Sequence, residues 1–302
     1  ILGISTGILS FVVFALTVEP TASYWDCAEY ISTSAKLQIG HPPGAPLFQM
    51  LGAIFSIFAL ELNQIAYAVN MMSVLSSALT IVFLFWSISL IGKEILDLTN
   101  SLKIDQAIKV FGSSFLGSIS FTFTDSFWFN AVEAEVYAMA TLILAILFWL
   151  GLKWVDDFEN QRADKWLILI SFVVGLSFGV HFMGLLAIPS IGLLYYFKKY
   201  KKFNIKSFLI ANIISVSILL FIFKLLLPST LSMFGNLEVF FVNDLGLPFN
   251  SGTIFTAFIL VAIIYYTLNY SYKKKLYLMN LSLLCLTFIF IGFSSWLMIP
   301  IR

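Results

Sequence analysis

Apolar stretches about as long as a bilayer is thick recur from one end of this sequence to the other, and nearly every lysine falls between them. A helix needs roughly 20 apolar residues to cross hydrocarbon. Residues 1–18, 67–92, 110–124, 136–152, 207–227, 253–269 and 276–298 meet or approach that length. Hydrocarbon offers no partner to a bare amide, so such segments fold as helices. Composition agrees: 60% of residues are hydrophobic and only 11% charged, against about 25% charged in a soluble domain. The expected fold class is an all-α polytopic membrane protein. Ile1 lies inside an apolar run with no methionine before it, and residues 1–18 lack a basic leader and a small-residue cleavage site. That first segment therefore reads as a span rather than a signal peptide, and the chain as a piece of a longer protein. Cys27 and Cys285 form neither a disulfide framework nor a metal-ligand spacing.

Two stretches are ambiguous by length. Residues 47–60 are short for a span and follow His41-Pro42-Pro43-Gly44-Ala45-Pro46; residues 166–197 are long for one span and short for two. Charge decides between the options. If 47–60 lies in the interface as a juxtamembrane helix, and 166–197 is two short spans turning near His181, the chain crosses nine times. Lys93, Lys103, Lys109, Lys153, Arg162, Lys165, Lys198, Lys199, Lys201, Lys202, Lys206 and Lys273 to Lys275 then share one side, leaving Lys36, Lys224 and Arg302 elsewhere. Any other parity splits the clusters, so the positive-inside rule makes that side cytoplasmic.

The opposite, outer face then holds both histidines and most loop acids outside the lysine clusters. The first outer loop, 19–66, is the most informative. Its residues 23–37 suit a short helix on the membrane surface, with Asp26 and Glu29 at i and i+3 on one face. A carboxylate at a lipid–water boundary is costly to ionise, which suits a general base. The plain alternative is that Asp26 caps the helix and Glu29 is solvated. Glu133 and Glu135 begin a span, where they could bind substrate or simply balance the helix dipole. His181 is a lone histidine at a turn, a type that is often structural. Trp25, Tyr24, Trp128 and Tyr137 could stack on a sugar or form the interfacial aromatic belt.

Trp25-Asp26-Cys27-Ala28-Glu29, Gly40-His41-Pro42-Pro43-Gly44-Ala45-Pro46, Asp125-Ser126-Phe127-Trp128-Phe129, Val132-Glu133-Ala134-Glu135-Val136-Tyr137 and Gly179-Val180-His181 together resemble the domain of unknown function 2723. This family, also classed as glycosyltransferase family 117, includes the animal transmembrane O-mannosyltransferase that acts on plexin-type ectodomains, and its bacterial members are mostly from Bacteroidetes. The resemblance covers residues 1–302 as one domain. It implies a GT-C-like bundle of about nine spans with juxtamembrane helices in the first outer loop. It also implies a sugar donor on a polyprenyl phosphate and an exported acceptor protein. Larger members carry a soluble C-terminal region beyond the equivalent of residue 302.

The expected reaction displaces a lipid phosphate from the anomeric carbon of mannose or a similar sugar by a Ser or Thr hydroxyl. Asp26 is the expected base, with Glu29 as alternative or orienting partner. His41, His181, Lys36 and the free amides after Pro46 are the expected phosphate-stabilising groups. Glu133, Glu135, Tyr137 and Trp25 complete the candidate substrate site. No metal is required, although the acids leave room for a divalent ion, and no nucleic-acid partner is expected. The working face would be periplasmic in a bacterial inner membrane, or lumenal in the endoplasmic reticulum. Two rival readings remain. A transporter or flippase would carry ionisable groups near mid-bilayer and inverted repeats, and a non-catalytic scaffold would have lost the outer acids and histidines.

Overall fold

The computed structural model describes residues 1–98, 102–160, 162–200 and 202–301, without the side chains of 300 and 301. Lys201 and Arg302, counted above among the basic residues, lie outside that set. Every regular element among the described residues is helical, as hydrocarbon solvation requires of so apolar a chain. The helices are α1 (Leu2–Leu16), α2 (Cys27–Ala35), α3 (Pro46–Ser56), α4 (Ile65–Ile95), α5 (Ile104–Thr122), α6 (Asp125–Ala131) and α7 (Val136–Asp156). They continue with α8 (Asp164–Ser177), α9 (Ala187–Lys199), α10 (Ile205–Leu220), α11 (Leu227–Val239), α12 (Ser251–Lys273) and α13 (Tyr277–Phe293).

The chain divides into two units, Ile1–Ala187 with Ile289–Arg302, and Ile188–Phe288. In the first unit α4 is the central post, with α1, α5 and α7 packed around it. Ser73, Ser76, Ser77, Thr80, Ser87 and Ser89 of α4 are buried. Such small side chains let helix backbones approach where there is no water to drive association. Hydroxyl pairs join neighbouring helices: Ser89 with Ser114, and Ser10 with Thr122, each at 2.9 Å. At one end of this bundle Phe14, Val74, Ile81, Phe127 and Ala131 form an apolar cluster. In the second unit the Asn204 side chain caps α10 by accepting from the Lys206 and Ser207 amides. Glu238 closes the α11–α12 connection by accepting from the Asn250 and Thr253 amides.

Charge parity predicts nine crossings; among the described residues five helical stretches are long and apolar enough to cross a membrane, judged by length and composition. They are Leu62–Ile95, Val136–Asp156, Ile205–Asp244, Ser251–Lys273 and Tyr277–Leu297. The remaining expected spans coincide with shorter or more polar helices. Helices α1, α8 and α9 have 15, 14 and 13 residues, and α5 carries Asp105, Lys109 and several serines. The span expected to end at residue 227 instead continues unbroken to Asp244. A π-helical segment at Phe221–Leu226 leads into Pro228 at the start of α11. Widening the turn accommodates a residue with no amide hydrogen and a ring that crowds the preceding turn. The surface helix expected over 23–37 is shorter, beginning at Cys27. The chain is an integral membrane protein.

Candidate active site

The loop between α1 and α4 is built onto the first unit through polar contacts that few of its residues advertise. Buried Asn70 of α4 donates to the carbonyls of Glu19 (2.6 Å) and Thr21 (3.0 Å). A lone amide in an apolar span costs free energy unless it is paired, and here it pins the start of the loop. Ser23 then donates to Glu133, and the Asp26 amide donates to Glu135 at 3.0 Å. Trp25, between those anchors, has a left-handed φ of 61° and projects into the surroundings.

Helix α2 carries Asp26 at its N-cap position and Glu29 one turn on. His41 closes over both. Its Nδ1 lies 3.1 Å from a Glu29 oxygen, its backbone amide donates to the other Glu29 oxygen, and its Nε2 lies 3.8 Å from Asp26. Tyr30 packs beneath, its ring 5.9 Å from His41 and 5.1 Å from Phe48. The amide and ring of His41 hold the Glu29 carboxyl below its usual range. Both Glu29 oxygens are thus engaged, whereas among the described residues the Asp26 carboxylate meets only His41 and makes no capping bond to its helix. Asp26, Glu29 and His41 each offer a ligand atom within 4.8 Å of the others, so this trio is where a divalent ion could be held.

The remaining expected residues are placed differently. Glu135 stands at the N-cap position of α7 with Glu133 two residues before it; both are buried against the first loop, and burial raises both pKa values. The same burial pushes the Cys27 thiol up to about 12, which leaves it protonated and inert. His181 accepts from the Met183 amide at 3.2 Å and faces the Tyr137 ring at 5.5 Å. Its burial lowers its pKa and so favours the neutral ring. Lys36 stands exposed past the end of α2, with no ion pair among the described residues. The amides of Leu47 and Phe48 at the start of α3 are not free for phosphate. They donate to the Gly179 carbonyl at 2.8 and 3.1 Å. Asp125 begins α6, and its neighbours Phe127 and Trp128 pack on Phe14 while Trp128 donates to Thr17. An apolar cavity of about 660 Å³ opens beside α2 and α3, lined by Leu37, Met50, Phe172, Leu176, Ile291 and Met298.

Residues 26–204, which contain Asp26, Glu29 and His41, match the family described as Protein O-mannosyl-transferase TMEM260 N-terminal domain. The chain belongs to that family. Among curated proteins it is similar to "Protein O-mannosyl-transferase tmem260" of Dictyostelium discoideum, 26% identical over 190 residues, covering 59% of this chain and 21% of the relative. It is also similar to "Protein O-mannosyl-transferase TMEM260" of Mus musculus, 25% identical over 168 residues, covering 55% and 21%. The chain thus spans about a fifth of the length of these relatives. No solved structure matches it. In this family member the match opens at Asp26 itself, and it includes His41, Glu133, Glu135, Tyr137 and His181 but not Trp25.

Proposed function

We propose that this chain is the membrane-embedded part of a GT-C-type glycosyltransferase of family 117, which moves mannose or a similar sugar from a polyprenyl phosphate to Ser or Thr of an exported protein. The observation that carries this reading is the Asp26–His41–Glu29 constellation inside the O-mannosyltransferase match. Nine crossings with the lysine clusters in the cytoplasm would put that constellation on the outer, periplasmic face. A Bacteroidetes origin belongs to the same proposal.

The acceptor hydroxyl attacks the anomeric carbon while the bond from that carbon to the phosphate oxygen breaks. The phosphate leaves with the bonding electrons, and Asp26 takes the hydroxyl proton. One displacement inverts the anomeric centre without a covalent intermediate. Asp26 suits the base because its carboxylate meets His41 Nε2 only at 3.8 Å, beyond hydrogen-bond distance, and Glu29 suits an orienting role because both of its oxygens hold His41. His41 Nε2 faces the reaction side and can stabilise the departing phosphate when protonated. The apolar cavity beside α2 and α3 suits the polyprenyl chain.

The test is transfer from a polyprenyl-phosphate mannose to an acceptor peptide by the purified full chain and by Asp26→Asn. Removing a positioned general base costs about 10²–10⁴-fold. Turnover by Asp26→Asn near that of the unmodified chain would remove Asp26 from the role.

A further inference from the structure

Asp26 and Glu29 occupy the N-cap and N3 positions of α2. That is the spacing of a capping box, in which the first side chain bonds the N3 amide and the N3 carboxylate reaches back to the N-cap amide. Neither does so here. Asp26 makes no side-chain cap bond, and Glu29 is turned onto His41. The Asp26 amide is taken instead by Glu135, 109 residues further along, at 3.0 Å. Glu135 is 5% exposed and Glu133 3% exposed, so both stand behind the loop and away from its open side. On the other side of Trp25, Glu133 accepts from Ser23. Trp25 keeps its left-handed φ between these two anchors, a conformation that a non-glycine residue holds only where its surroundings impose it.

We infer that Glu135 is a positioning residue. It takes the place of Glu29 at the N-cap amide of the capping box and so leaves the Glu29 carboxylate to hold His41 beside Asp26, while Glu133 fixes the approach to the same turn. The inference rests on the reading of Asp26 as the base. The role needs an oxygen that accepts a hydrogen bond, not a negative charge, and glutamine supplies that oxygen.

Two measurements on the full chain test this. With polyprenyl-phosphate mannose and an acceptor peptide, Glu135→Gln is expected to keep kcat within about threefold. Glu135→Ala is expected to lose on the order of 10²-fold in kcat, the cost of misplacing a reacting group by about 1 Å, with little change in donor KM. Hydrogen exchange at the Asp26 amide should stay slow in the glutamine variant and become fast in the alanine variant. A glutamine variant as inactive as the alanine one would overturn the proposal, because the carboxylate itself would then be needed. Unchanged exchange and kcat in Glu135→Ala would overturn it equally. If the alanine variant does not fold, kcat and exchange in Glu135→Gln still decide. Asp26→Asn separates the two readings: full activity there removes the base assignment, while exchange at residue 26 reports the capping bond without reference to turnover.

Discussion

Gly179 offers a test of how the first loop is docked. A Cβ at that position would lie 2.5 Å from Ser295 Oγ and 2.7 Å from Leu47 Cβ. The serine hydroxyl can rotate away, but Leu47 Cβ is fixed to the backbone of α3, so Gly179→Ala must push the start of α3 outward by close to 1 Å. That movement stretches both bonds from the Gly179 carbonyl, to the Leu47 and Phe48 amides. Two such bonds are worth about 0.5–1.5 kcal/mol each, and overpacking adds roughly 1–3 kcal/mol. The expected destabilisation is about 2–6 kcal/mol. At about 2–4 °C per kcal/mol for a unit of this size, the apparent Tm in detergent should fall by roughly 4–24 °C. Gly112 is the matched control, because nothing lies within 4 Å of a Cβ there. Gly112→Ala should leave Tm unchanged or raise it, since alanine is favoured in a helix by about 1 kcal/mol. Equal Tm values for the two variants would refute the docking of α3 on Gly179.

Burial raises the Glu133 and Glu135 pKa values above 4.5, so the folded state holds their protons more tightly than the unfolded chain does. The stability this supplies is complete below about pH 4.5 and is lost as pH rises through the raised values. Tm should therefore decline across that window, and a Glu133→Gln/Glu135→Gln double variant should flatten the decline; an identical slope would count against it. Glu29→Ala removes two contacts to His41, but the pair is exposed, so Tm should move by no more than about 2 °C. Turnover in the same variant should fall at least about tenfold through loss of an oriented group, and a Tm loss as large as that of Gly179→Ala would make the cluster structural. Gly175→Ala would put a Cβ 2.2 Å from the Ile289 carbonyl of α13. Backbone cannot rotate aside, so a loss of roughly 1–3 kcal/mol is expected in thermal unfolding, and an unchanged Tm would contradict that contact.

What could be read before folding was what the membrane imposes locally. The apolar lengths that became α4, α7, α12 and α13 follow from the thickness of hydrocarbon. The break at His181 and the short α3 after Pro46 follow from glycine and proline placement. The trio of Asp26, Glu29 and His41 was legible as residue types in one loop, although its mutual contacts were not. Asn70 also carried a signal, a single amide in an apolar span, which had to find a partner somewhere. Nothing periodic links Ser23 with Glu133 or Asp26 with Glu135, because pairs more than 100 residues apart are made by packing. The consequence bears on chemistry as well as on fold. Four acids gather at one end of the first unit and look equivalent by type. Burial separates them: Asp26 and Glu29 stay open and hold His41, while Glu133 and Glu135 stand inside the wall and bind backbone and hydroxyl donors. Acids near a membrane boundary therefore overcount the reactive ones, and the useful question for each is which hydrogens its oxygens already hold. By that measure Asp26 is the carboxylate left with capacity to accept a proton from a substrate.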